Sequence, residues 1–137
     1  MSHVQRRTST GSGAPRLFGV AAAFNFGVGI ALLFLRPWLG PLLGLDVIAG
    51  TNLVLIDLTA GLILLFGYAY ARLAIDAVRY RPYIPIGIGG KLVAVVSAAV
   101  PWLAGEISWR LPLLAGADLV FVGLFVAYLR RTASLNA

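Results

Sequence analysis

Four stretches of about 20 consecutive, mostly apolar residues leave this chain little choice of environment. They run over about 17–35, 53–73, 84–103 and 111–129, and each has the length an α-helix needs to cross roughly 30 Å of hydrocarbon at 1.5 Å per residue. They occupy most of a 137-residue chain that is 60% hydrophobic and 12% charged, with a mean hydropathy of +0.91. No water-soluble core can hide that much apolar surface. The expectation is an all-α, integral membrane four-helix bundle. A disordered tail is expected over 1–15, a four-transmembrane-helix domain over 16–131, and a short tail over 132–137, with both tails cytoplasmic.

The composition also removes several chemistries. Cysteine is absent, which excludes disulfides, thiolate metal sites and cysteine nucleophiles. The one histidine, His3, lies in the polar first segment, away from every apolar stretch, so no serine has a histidine to activate it. No spacing of His, Asp or Glu suits a metal, no cofactor motif is present, and the chain reads as non-enzymatic. Gly87-Ile88-Gly89-Gly90 shares only its glycine content with phosphate loops, lacking the strand and the GK[ST] ending; helix packing is the better account. Arg6 and Arg7 precede an apolar run, as in a cleavable signal. That run has spanning length, and Arg36-Pro37 follows where small residues would be expected, so a first transmembrane helix is the expectation.

Charge sets the orientation. The net charge of +6 comes from residues that flank apolar spans, which points to anionic lipid and away from nucleic acid. Arg6, Arg7, Arg16, Arg72, Arg79, Arg81, Arg130 and Arg131 fall on one side, and Arg36 and Arg110 on the other. Basic residues resist translocation, so the first side is expected to be cytoplasmic. Trp38, Trp102 and Trp109 fall at the outer boundary and Tyr70, Tyr80, Tyr83 and Tyr128 at the inner one, as aromatic belts do. The segment 36–50 is expected to form an interfacial turn. Arg79 and Arg81, with Arg72 at the end of the second helix, are expected to grip lipid headgroups.

Small residues at i, i+4 spacing mark expected helix contacts, because between lipid-embedded helices close backbone approach replaces the hydrophobic drive. Gly19, Ala23, Gly27 and Ala31 form one such ladder, and Gly90, Ala94 and Ala98 another. Asp57-Leu58 followed by Tyr70-Ala71-Arg72, and Asp118-Leu119 followed by Tyr128-Leu129-Arg130, suggest two tandem hairpin repeats. Coincidence among Leu-rich helices is the rival explanation.

Each span also carries one strongly polar residue: Asn25, Asp57, Lys91 and Asp118. An ionisable group at depth costs about 2.5–3.5 kcal/mol on insertion scales, so such groups are expected to turn inward. Asp57 and Asp118 would lie about 10 Å below the outer boundary and Lys91 about 18 Å below it. Lys91 is therefore expected to reach either carboxylate, leaving a surplus charge of −1 for a proton, cation or substrate amine to neutralise. Asp57, Gly61, Leu64 or Leu65, Tyr68 and Arg72 share one helix face, a candidate polar track to the cytoplasm. An anchoring tyrosine and a snorkelling arginine explain Tyr68 and Arg72 equally well.

The layout, with Gly67-Tyr68, Ala71-Arg72 and Gly90-Lys91-Leu92, loosely resembles bacterial DoxX-like membrane proteins. That resemblance implies a small inner-membrane protein and little about activity. The small multidrug exporters have similar size and helix count, but their first helix carries a glutamate where this chain has Asn25. Two functional readings follow. In the first, Asn25, Asp57, Lys91, Asp118 and Tyr68 bind or move a small solute, proton or lipid-like molecule, within a homodimer if four helices leave too narrow a path. In the second, the charge layer specifies packing in a non-transporting accessory or structural subunit that meets a partner membrane protein. A membrane enzyme acting through its carboxylates comes third, since no nucleophile accompanies them.

Overall fold

The computed structural model describes residues 13–45 and 48–134; the first twelve residues, where most of the expected tail falls, lie outside it. Among the described residues the chain is all-helical: α1 (Ala14–Phe34), α2 (Arg36–Leu43), α3 (Gly50–Ile75), α4 (Tyr83–Leu103) and α5 (Arg110–Ala133). Four of them, α1, α3, α4 and α5, are long and apolar enough to cross a membrane. Each outruns its apolar stretch at one end or both. Pro15 sits in the first turn of α1, where its missing N–H costs nothing, and basic residues occupy the last turns of α3 and α5, where they face the negative end of the helix dipole.

The segment 36–50 differs from the expected turn, because its first eight residues form α2. Pro37 cannot continue α1, since it lacks an N–H and its ring meets the preceding turn, so the chain breaks at Leu35 and starts again with Pro37 in the new first turn. Gly44 closes α2 in the left-handed conformation, at φ 73°, which a residue with a Cβ adopts only at a cost. Pro101 lies in the last turn of α4, which ends two residues later at Leu103.

The most extensive packing joins α1 to α3, followed by α4 to α5. Glycine permits the close approaches. A Cβ on Gly29 would meet Leu64 Cδ2 of α3 at 2.7 Å, and one on Gly87 would meet Tyr70 Cε1 at 2.7 Å. Phe18, Tyr70, Leu73, Ile84 and Phe125 are fully buried. Their rings form a lattice, with Phe18 and Phe125 centroids 5.0 Å apart and Tyr70 and Phe125 5.3 Å apart.

The contact face of α1 is a correction. Its buried residues are Ala14, Phe18, Ala21, Ala22, Asn25 and Gly29, whereas in the expected ladder Ala23 and Gly27 are exposed and Gly19 is only half-buried. The ladder of α4 is divided: Gly90 meets the Phe66 ring and Ala98 is buried, but Ala94 is exposed. Outward faces are strongly apolar, with Val54, Leu65, Val93 and Leu113 all more than 60% exposed. A surface of that kind belongs against lipid or another protein, and the chain has the architecture of a multi-pass membrane protein.

Candidate functional site

Lys91 lies on the inner face of α4 with only 4% of its surface exposed. Burying an ammonium is expensive unless it is ion-paired and hydrogen-bonded, and the other three long helices supply what it needs. From α5, Asp118 Oδ1 is 2.5 Å from Lys91 Nζ. From α1, Asn25 Oδ1 accepts a second hydrogen bond at 3.3 Å, while Asn25 Nδ2 donates to the Ile63 carbonyl of α3 at 3.2 Å. The ammonium also lies 4.7 Å from the Phe121 ring centroid, 5.3 Å from that of Tyr70 and 5.6 Å from that of Phe24, within cation–π range of all three. Tyr70 is itself fixed by donating its hydroxyl to the Gly87 carbonyl at 3.3 Å, one turn before Lys91.

This centre differs from the expected Asp57, Lys91, Asp118 cluster in one member. Asp57 pairs instead with Arg36, at the end of the bundle that carries α2. Arg36 opens α2, and the fold-back at Leu35 brings its guanidinium over α3. Thr59, two residues after Asp57, donates its hydroxyl to Leu55 O at 2.7 Å. Each of the two acids thus has its own base, and the expected surplus of −1 disappears. No buried side-chain nitrogen or oxygen among the described residues lacks a hydrogen-bond partner.

The expected polar track along α3 is divided: Leu65 and Tyr68 are exposed and nothing lies within 4 Å of a Cβ placed on Gly61, but Leu64 packs against Gly29 of α1. Tyr68 is on the surface of α3, with the Arg72 guanidinium 6.0 Å from its ring centroid. Arg72 also donates to the Tyr80 hydroxyl and lies 4.6 Å from the Tyr80 ring centroid, and Arg79 lies 5.6 Å from the same centroid. Arg79 and Arg81 stand in the short connection between α3 and α4, where the Asp76 carboxylate accepts from the Arg79 backbone N–H at 2.9 Å and turns the chain.

Sequence reasoning missed Tyr70, Phe24, Phe121 and Arg36 as parts of these two sites. Tyr70 read as an aromatic of the inner interface, yet its position three residues after Gly67 puts it on the buried side of α3. Arg36 read only as a topological charge. A cavity of about 220 Å³ lies elsewhere, lined by Leu32, Leu43, Leu45, Leu55, Ile56, Thr59 and Leu111, and none of the Lys91 centre borders it. Among the described residues no group of three His, Asp or Glu side chains is placed to hold a metal.

Fold and site together define a class: a small multi-span helical bundle built around a buried, fully paired lysine. Comparison with family models, curated proteins and solved structures returned no match for this chain.

Proposed function

We propose that this protein is a non-transporting accessory or structural subunit of a bacterial inner membrane, in which the Lys91 centre specifies how four helices pack. One observation carries the reading. Lys91, on α4, is 4% exposed and takes its hydrogen-bond partners from α1 and α5, with Asn25 linking on to α3. A group used for transport has to lose or exchange a partner; this one has its counter-charge, a second acceptor and three rings around it, and is electrically neutral with Asp118. The left-over face of α1, where Ala23 and Gly27 are exposed, is suited to a partner helix or a second copy of the chain. The loose resemblance to DoxX-like proteins is compatible with such a role.

The orientation with both termini cytoplasmic belongs to the same reading. Four crossings return the chain to its starting side. Arg72, Arg79, Arg81, Arg130 and Arg131 then face the cytoplasm, and Trp38, Trp102 and Trp109, all exposed, line the opposite interface.

Because the chain has no cysteine, a single one reports contacts cleanly. Ala23→Cys in native membranes is expected to form a cross-linked product of discrete mass, whereas Val54→Cys on the lipid-facing side of α3 is not. Absence of any product from Ala23→Cys, together with proton flux through wild-type proteoliposomes, would return the solute or proton reading.

A further inference from the structure

The cavity beneath α2 has a chemistry of its own. Six of its seven lining residues are aliphatic, and the one hydroxyl, that of Thr59, is spent on Leu55 O of its own helix. The lining side chains therefore offer an occupant no free hydrogen-bond donor. At about 220 Å³ it is smaller than the roughly 300–1,000 Å³ of pockets that take drug-sized molecules, which suits a slim alkyl chain. Its rim is charged. Leu32 lies one turn before Arg36, Ile56 is next to Asp57, and Leu111 follows Arg110.

These rim charges differ in how fully they are engaged. Arg36 and Asp57 pair with side chains 25% and 45% exposed, so the carboxylate keeps a face outside the protein's packing. Arg110 donates to the Pro41 carbonyl at 3.1 Å, an interaction that ties α5 to α2 without neutralising its charge. Among the described residues, Arg36 and Arg110 balance Asp57 and Glu106 at this end. A balanced set of charges does not favour an anionic headgroup. It complements a zwitterion whose phosphate meets the guanidinium groups and whose primary ammonium donates to a carboxylate.

We propose that the groove under α2 binds one acyl chain of a phosphoethanolamine lipid, with the headgroup phosphate at Arg36 and Arg110 and its ammonium on Asp57. The site lies apart from the Lys91 centre, so it stands whatever role that centre has.

The test is native mass spectrometry of the full-length protein, exchanged in turn into phosphoethanolamine, phosphocholine and phosphoglycerol lipids of identical acyl chains. The expected result is retention of one phosphoethanolamine lipid, about tenfold tighter than phosphocholine, the scale of one charged hydrogen bond. Leu55→Trp, at a half-exposed wall position, is expected to fill the groove and abolish retention without unfolding the protein. Asp57→Asn is expected to erase the preference for the primary amine. Equal retention of all three lipids, retention indifferent to Leu55→Trp, or preference for phosphoglycerol would each overturn the proposal. The headgroup comparison uses wild-type protein alone and decides the matter even if Asp57→Asn fails to fold.

Discussion

A lysine ammonium without water needs counter-charge and acceptors, and the two acid–base pairs among the described residues differ in how much depends on them. Lys91 is sealed among Asp118, Asn25 and three rings, whereas Arg36 and Asp57 are partly exposed. Exposed pairs are worth about 0–1 kcal/mol. Arg36→Gln is therefore expected to change stability by no more than about 1 kcal/mol in mixed-micelle unfolding. Phe121→Ala removes the ring nearest Lys91 and leaves a cavity. Because lipid is as apolar as the interior, only the packing part of the loss remains, and the expected cost is about 1–3 kcal/mol, below the roughly 3–5 kcal/mol of a water-soluble core. That Asn25, Lys91 and Asp118 turn inward was legible from the cost of burying charge. The partner of Asp57 was not, since it depended on the fold-back at Leu35 that carries Arg36 over α3.

At the scale of the helix, apolar length made all four long elements legible, and proline and glycine marked most of the breaks. Which face each helix turns inward was not legible. A water-soluble helix reveals its buried side because its other side is polar. Here the lipid-facing and protein-facing sides are both apolar, so hydropathy carries no period, and small-residue spacing selected the wrong side of α1. The structure separates these faces sharply. Gly87→Leu would drive a side chain into the Tyr70 ring, 2.7 Å from where its Cβ would sit, and is expected to lower the unfolding temperature markedly. Gly27→Leu meets nothing within 4 Å and is expected to leave monomer stability unchanged while weakening any association through α1.

For the whole molecule, charge distribution and chain topology make one joint prediction. Single cysteines at Ser134, after α5, and Ser108, between α4 and α5, should be reached from opposite sides by a membrane-impermeant maleimide. In intact cells Ser108→Cys is expected to label and Ser134→Cys only after permeabilisation; the reverse pattern would invert the orientation.

The central claim is that Lys91 and Asp118 hold the bundle together and carry nothing through it. A double-mutant cycle on unfolding free energy, run with proton flux in proteoliposomes, tests this most directly. Lys91→Met alone leaves a buried carboxylate unpaired and is expected to cost about 3–5 kcal/mol, while Lys91→Met combined with Asp118→Leu recovers most of that loss; neither these variants nor wild type should conduct protons. Flux through wild-type protein that disappears in a fully folded Lys91→Met variant would contradict the account.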